Sequence, residues 1–323
     1  MSARIKSEAL ADKAVRAPVR RGFMVPMRDS EIVEALHEPS LRPRPRSRTR
    51  PRPADLVSRT RTRTIGFLVP IRVQNWRTKL TMNEQEVLLR KVTRREFRER
   101  MQSSELKACI IPVAAIEQHL EHLAMEHDWR SVCHIAAAVA ERLRPRVLVA
   151  EGLMAGISGH HLRHPGTLSL QPGTFLAVLS DLIDSVVRAG FKNVLVLNGH
   201  GGNIAACRAA WDQFLRLYQV NLQFLSYWDV LTKADAHELL KSGHRLPEDL
   251  PGHAQEFETA IALAVFPENV RTAIWTEQPD PKPGMATAPQ GQAFIERIVE
   301  RVANYLQEMI DGKRVAAIPP FFP

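Results

Sequence analysis

The sequence predicts an α/β fold of three layers, α/β/α, around a mainly parallel central sheet. From residue 107 onward, short β-rich apolar runs alternate with amphipathic stretches of helix length, the pattern of a parallel sheet with crossover helices. The segment NVLVLNGHGGNIAACRAAW reads as strand, glycine-rich turn and helix in immediate succession. A hydrophobic content of 45% over 323 residues is enough to bury a core and excludes a purely disordered or fibrous chain.

Element by element, MNEQEVLLRKVTRREFRERM opens at Met82, and Thr93 followed by Glu96 forms a capping box that starts a short helix. Apolar runs place strands at 109–116, 147–150, 193–197 and 222–228. Helical periodicity falls on 129–143, on 174–189 with Gly190 closing it, and on 204–217, 257–265 and 292–309. The stretches 151–173 and 241–252 carry Gly and Pro and read as loops. Both are long for a compact α/β domain, and long loops at strand ends are where sites gather.

Residues 1–64 hold sixteen Lys and Arg against seven acids, an excess that accounts for the whole net charge of +9. Between Leu41 and Thr64 the chain reads LRPRPRSRTRPRPADLVSRTRTRT, which has almost nothing to bury. Residues 1–81 are therefore expected to form a basic, largely disordered arm, residues 82–318 the folded domain, and residues 319–323 a short tail. An electrostatic tether to nucleic acid is the alternative reading of the arm, but no aromatic residues interleave with the arginines of 41–64 to stack on bases. Cys109, Cys133 and Cys207 form no CxxC pair, which suits reduced thiols in a cytoplasmic protein. No apolar run approaches the roughly 20 residues needed to span a bilayer.

Histidine is concentrated where chemistry is expected: eight of twelve lie between His119 and His200. In IIPVAAIEQHLEHLAMEHD a buried strand runs into Glu117-Gln118-His119. In an extended segment i and i+2 share a side, so Glu117 and His119 can face one metal while Gln118 turns away. Asp128 follows just before a helix. Alone it would read as an N-cap, but together with Glu117 and His119 it completes a set of hard and borderline metal ligands. His200 lies in the glycine-rich turn NGHGGN at a carboxyl strand end, where open α/β sheets place their sites. That turn lacks both GxGxxG and GK[ST], so a phosphate cradle is a poor reading of it. In GHAQEFETA, His253 and Glu258 open a further helix, and Glu256 is the rival carboxylate two residues earlier.

The order of these motifs, with GHHLRHPGTLSL (159–170) between them, resembles the creatininase family of amidohydrolases over roughly residues 88 to 312. The resemblance implies a creatininase-like α/β/α fold, frequently a homohexamer or other homo-oligomer, with two divalent metal ions per chain (Zn, Mn or Fe) bridged by an aspartate and a water. It implies that Glu117, Asp128 and His200 hold one ion, and that His119 and Asp128 hold the second. Creatininase proper has a glutamate where this chain has Gly202, which leaves Glu258 as the nearest substitute ligand and puts creatinine in doubt as substrate. The loop also departs from H-G-P-H-L-P, reading His119-Leu120-Glu121-His122-Leu123-Ala124. By the same resemblance His253 is the proton donor, Glu258 shares in catalysis, and Ser158, His161 and Gly201 line the substrate pocket.

The function so implied is hydrolysis of a non-peptide or cyclic amide, a small molecule, by a metal-activated hydroxide. A peptidase like the one that matures the mycofactocin precursor and a formamide deformylase are variants within the family. A nucleic-acid-binding protein on a degenerate hydrolase scaffold is the alternative from another class. The composition of the arm supplies the first testable expectation: limited proteolysis should cut within residues 41–64 well before it cuts the domain, and an arm recovered intact would contradict this.

Overall fold

The computed structural model describes residues 86–242 and 250–318; the expected arm and tail lie outside the described residues. Four strands form one parallel sheet in the order β2-β1-β3-β4, with β1 Ala108–Val113, β2 Val147–Val149, β3 Asn193–Asn198 and β4 Asn221–Ser226. The registers pair Ala108 with Val147 on one side and with Asn193 on the other, and Asn193 in turn with Asn221. β1 is completely buried, as a strand covered on both faces must be.

Alternation along β1 and β3 divides the interior in two. Ile110, Leu195 and Leu197 face one core, into which α2 (His127–Arg142), α6 (Glu256–Val265) and α7 (Ala288–Ile310) contribute Val132, Ile135, Ile261, Phe294 and Ile298. Cys109, Ile111, Val194 and Val196 face the other core, filled by Phe175, Leu179 and Ile183 of α3 (Pro172–Arg188) and Phe214 of α4 (Ile204–Leu217). The fold is therefore the three-layer α/β/α architecture with a parallel sheet. The short α1 (Arg94–Gln102) opens with the expected capping box of Thr93 and Glu96.

Several element boundaries differ from expectation. β1 ends at Val113, not at 116, because its last partner in β3 is Asn198; beyond it the chain bonds to the loops, Ala114 N–H to Leu153 O and Glu117 N–H to Met125 O. β4 ends at Ser226, which caps a 3-10 turn Tyr227–Val230 together with Asp229. α7 starts four residues before the expected 292, where Thr287 and Gln290 form a capping box. The helix α5 (Lys233–Leu239) was not anticipated; its start signal is the capping box of Thr232 and Asp235.

Asp235 also locks α5 to α7. It is nearly buried, and accepts from Thr232 Oγ1 at 2.7 Å, Arg297 Nη1 at 2.8 Å and Arg301 Nη2 at 2.9 Å. Burial would raise this carboxyl, but the bonds from Arg301, Thr232 and Arg297 outweigh it and hold it well below the usual carboxylate range. A folded value below the unfolded one stabilises above the unfolded pKa, near 4, and the contribution is lost as pH falls toward the folded value. Asp235→Asn is accordingly expected to cost about 2 kcal/mol at pH 7 in urea unfolding. The gap to the unaltered protein should narrow below pH 4, and a gap unchanged at pH 3 would contradict the assignment.

Candidate metal centre

β1 and β3 are neighbours, but the chain leaves them toward opposite faces, from β1 to α2 in one core and from β3 to α4 in the other. The crevice at their carboxyl ends is a topological switch point, and it receives Glu117 and His119 from the loop after β1 and His200 from the turn after β3. Asp128, expected as a residue preceding a helix, stands inside the first turn of α2, which carries its carboxylate up to the same crevice. The β3–α4 turn comes very close: a Cβ on Gly199 would lie 2.8 Å from Val132 Cβ and 2.9 Å from the Asp128 carbonyl oxygen, so only glycine fits. Asn198 and Asn203 stitch the turn, Asn198 Nδ2 donating to His200 O at 2.8 Å and Asn203 Nδ2 to Ala114 O at 3.2 Å.

The Asp128 carboxylate sits between two imidazoles, with Oδ1 3.0 Å from His119 Nε2 and Oδ2 2.9 Å from His200 Nδ1. Glu117 Oε1 lies 3.5 Å from His200 Nδ1, and Glu258 Oε2 lies 3.8 Å from His119 Nε2. Two buried donor sets result, Glu117, Asp128 and His200, and His119, Asp128 and Glu258, each with its ligand atoms within 4.8 Å of one another. Around an ion bonded at about 2.0–2.2 Å, tetrahedral ligand atoms lie roughly 3.3–3.6 Å apart. The present spacings match that scale.

The remaining ring nitrogens fix the tautomers. His119 Nδ1 donates to Glu117 O at 3.0 Å and His200 Nε2 to Ile157 O at 3.1 Å, which turns His119 Nε2 and His200 Nδ1 toward the crevice, where an ion that displaced their hydrogens would meet their lone pairs. Burial would raise Asp128, but the charge of His119 and hydrogen bonds from both imidazoles hold it well below the carboxylate range. Burial raises Glu117 and Glu258 above it, with the negative charge of Asp128 adding to both. Burial would also lower His119 and His200, yet Asp128 raises both. The ion-pair partners found for these three carboxylates are histidines, and Glu117 Oε2 is buried without a hydrogen-bond partner. Such a set suits divalent cations.

The centre forms the floor of a cavity of about 380 Å³ whose walls include His160, Gly201, Gly202, Pro251, Gly252 and His253. Gly201 is thus a wall residue, and His253 enters from the rim with Nδ1 3.5 Å from Glu117 Oε1. His161 stands further out, Nε2 4.0 Å from the same oxygen. Ser158 is different from expectation: it is buried behind His200, its hydroxyl 3.2 Å from Nε2, so it braces that ring instead of forming a wall. His160 takes the wall position. The sequence offered it only as one histidine among a cluster. Gln118 does not turn away; its side chain reaches both His161 and His253, because the segment after Val113 is not a strand and alternation does not hold there.

The two carboxylates of α6 differ in their contacts. Glu256 accepts from the backbone N–H groups of Lys241 and Ser242 and from Gln290 Nε2, so it holds a loop, while Glu258 faces His119. At Gly202 a Cβ would lie 2.1 Å from Ile157 O and 2.5 Å from His200 Nε2. A glutamate there does not fit this loop, whereas Glu258 faces His119 from α6.

A family model described as creatininase, creatinine amidohydrolase, matches residues 90–295. This chain belongs to the creatininase family. It is 26% identical over 255 residues to the creatinine amidohydrolase of Pseudomonas putida, covering 69% of this chain and 96% of that one. It is 29% identical over 198 residues to the 3-dehydro-scyllo-inosose hydrolase of Thermotoga maritima, covering 61% of each. Against the mycofactocin precursor peptide peptidase of Mycolicibacterium smegmatis it is 34% identical over 170 residues, covering 50% of this chain and 60% of that one. Among solved structures, creatinine amidohydrolase (creatininase) superposes with a TM-score of 0.60 at 27% identity, over 69% of this chain and 98% of that one. A structure described as creatininase Mn gives 0.58 at 25%, again over 69% and 98%. A mutant creatininase of the Zn-Zn type, at 24% identity and a TM-score of 0.61 over 69% and 98%, shares the fold. The curated relatives named are all hydrolases. No helix among the described residues is long and apolar enough to cross a membrane.

If Asp128 is shared by two ions, Asp128→Ala should lose bound metal altogether, whereas Glu258→Gln should retain about one ion per chain. Elemental analysis of the dialysed variants checks both. Full occupancy in Asp128→Ala would sink the shared-ligand assignment.

Proposed function

We propose that this chain is a metal-dependent hydrolase that cleaves a carbon–nitrogen bond of a small non-peptide or cyclic amide. The observation that carries the reading is the pair of buried donor sets sharing Asp128 at the floor of a cavity lined in part by His253. Glu117, Asp128 and His200 would hold one ion, and His119, Asp128 and Glu258 the other. A divalent ion in such a set lowers the pKa of a bound water toward neutrality and polarises a carbonyl oxygen.

The protein's own groups do the rest. The carbonyls of Glu117 and Ile157 orient the two imidazoles, Ser158 braces His200, and the backbone N–H of Ala254 holds Glu258 Oε2 at 2.6 Å. His253 presents its Nδ1 edge to the cavity, where it meets the departing nitrogen. Burial, with the charge of His119 beside it, pushes this histidine down to about 3, and burial with the charge of His160 brings His161 down to about 4. Both rings are therefore neutral near pH 7, and the cavity gains hydrogen-bonding groups without added positive charge. The compact volume and the inward-facing glycine turn favour a small amide over an extended peptide, for which the peptidase relatives supply the rival reading. A homo-oligomeric assembly and a cytoplasmic location belong to the same reading, through the family likeness and the unpaired Cys109, Cys133 and Cys207.

The test is metal-loaded enzyme against a panel of small linear and cyclic amides, formamides and short peptides. His253→Ala is expected to keep its metal and lose turnover by about 10²–10⁴-fold. Cleavage confined to peptides would transfer the reading to the peptidase branch, and metal-independent cleavage would remove it.

A further inference from the structure

Resting on the reading of the cavity as the hydrolytic site, we infer that Gln118 is a positioning residue that fixes which ring nitrogen of His253 and of His161 carries its hydrogen, so that both rings present N–H to the cavity. A carboxamide has one end that only accepts and one that only donates. Leu120 N–H can only donate, and it lies 3.0 Å from Gln118 Oε1, which identifies that end as the oxygen. The other end, Nε2, lies 3.0 Å from His161 Nδ1 and 2.8 Å from His253 Nε2. Each of those ring nitrogens must then accept, and the two N–H groups of one amide serve both.

It follows that the hydrogens sit on His161 Nε2 and His253 Nδ1. These are the nitrogens facing Glu117 Oε1, at 4.0 and 3.5 Å, on the side of the metal centre. The two rings stack, with centroids 4.5 Å apart and planes at 21°, so they form one aligned pair of donors.

The support for Gln118 is itself constrained. Its backbone N–H donates to Thr167 Oγ1 at 3.1 Å. Leu120, whose N–H pins the amide oxygen, has φ of 54°, in the left-handed region that leucine adopts only when its surroundings enforce it. With Gln118 Nε2 donating to the far nitrogen of each ring, the nitrogen that faces the centre is the one that carries the hydrogen. The two rings are fixed hydrogen-bond donors to an amide oxygen or a departing nitrogen.

Zinc-loaded protein labelled with ¹⁵N-histidine tests this through multiple-bond ¹H–¹⁵N correlations, which distinguish the two tautomers of each ring, with His253→Ala and His161→Ala assigning the signals. The expected result is hydrogen on Nδ1 of His253 and on Nε2 of His161. In Gln118→Glu, whose carboxylate only accepts, both rings should place hydrogen on the nitrogen facing residue 118. In Gln118→Met, with no donor, mixed tautomers should appear. Metal content should not change, and kcat in Gln118→Glu should fall by about 10–100-fold with a smaller change in KM. Hydrogen on Nε2 of His253 in the unaltered protein, or unchanged tautomers in Gln118→Glu, would overturn the inference. The spectra need no substrate. Correct tautomers in a protein that cleaves no amide would therefore retire the hydrolase reading alone, while wrong tautomers in an active enzyme would retire this inference alone.

Discussion

The site depends on one carboxylate having to serve two imidazoles at once. Asp128 reaches His119 with one oxygen and His200 with the other, and these three residues come from a loop after β1, from the first turn of α2 and from the turn after β3. Such a junction exists only if α2 starts where the β3–α4 turn can press against it. Gly199 permits this, because any side chain there would collide with Val132 and with the backbone of Asp128 itself. The parallel register of β1 and β3 then sets the height of both loops above the sheet.

Much of this was legible in the sequence, for identifiable reasons. Parallel strands buried on both faces write themselves as continuous apolar runs, and helices covering them show a 3.6-residue period, so the layers and most elements could be located. The candidate ligand residues Glu117, His119, Asp128, His200 and Glu258 stand out against apolar surroundings. What failed was local geometry. A strand running to Ile116 would impose alternation on Glu117, Gln118 and His119, but backbone pairing stops at Val113 and the following loop turns through Leu120 with positive φ. Gln118 was lost for that reason, and Ser158 was given a wall position that only three-dimensional packing assigns to His160. Helix α5 went unnoticed because it is seven residues long and its signal lies in a capping box instead of a periodicity.

The choice between Glu256 and Glu258 shows how two like residues on one helix divide their labour. On a helix, positions two apart point in different directions. Glu258 is turned toward His119, and Glu256 toward the backbone of Lys241 and Ser242 and toward Gln290 on α7. The same short helix thus contributes to the centre and holds the approach to it.

That second bond set has an evolutionary consequence. Glu256 clamps the chain at Lys241 and Ser242, while Pro251 and Gly252 already belong to the cavity wall and His253 to its rim. Pro251 and Gly252 can change while Asp128, His119 and His200 below keep their mutual contacts. A lineage carrying this arrangement can reshape the cavity wall without disturbing the charged cluster at its floor, so divergence among relatives sharing one scaffold has a structural route that runs through a few residues.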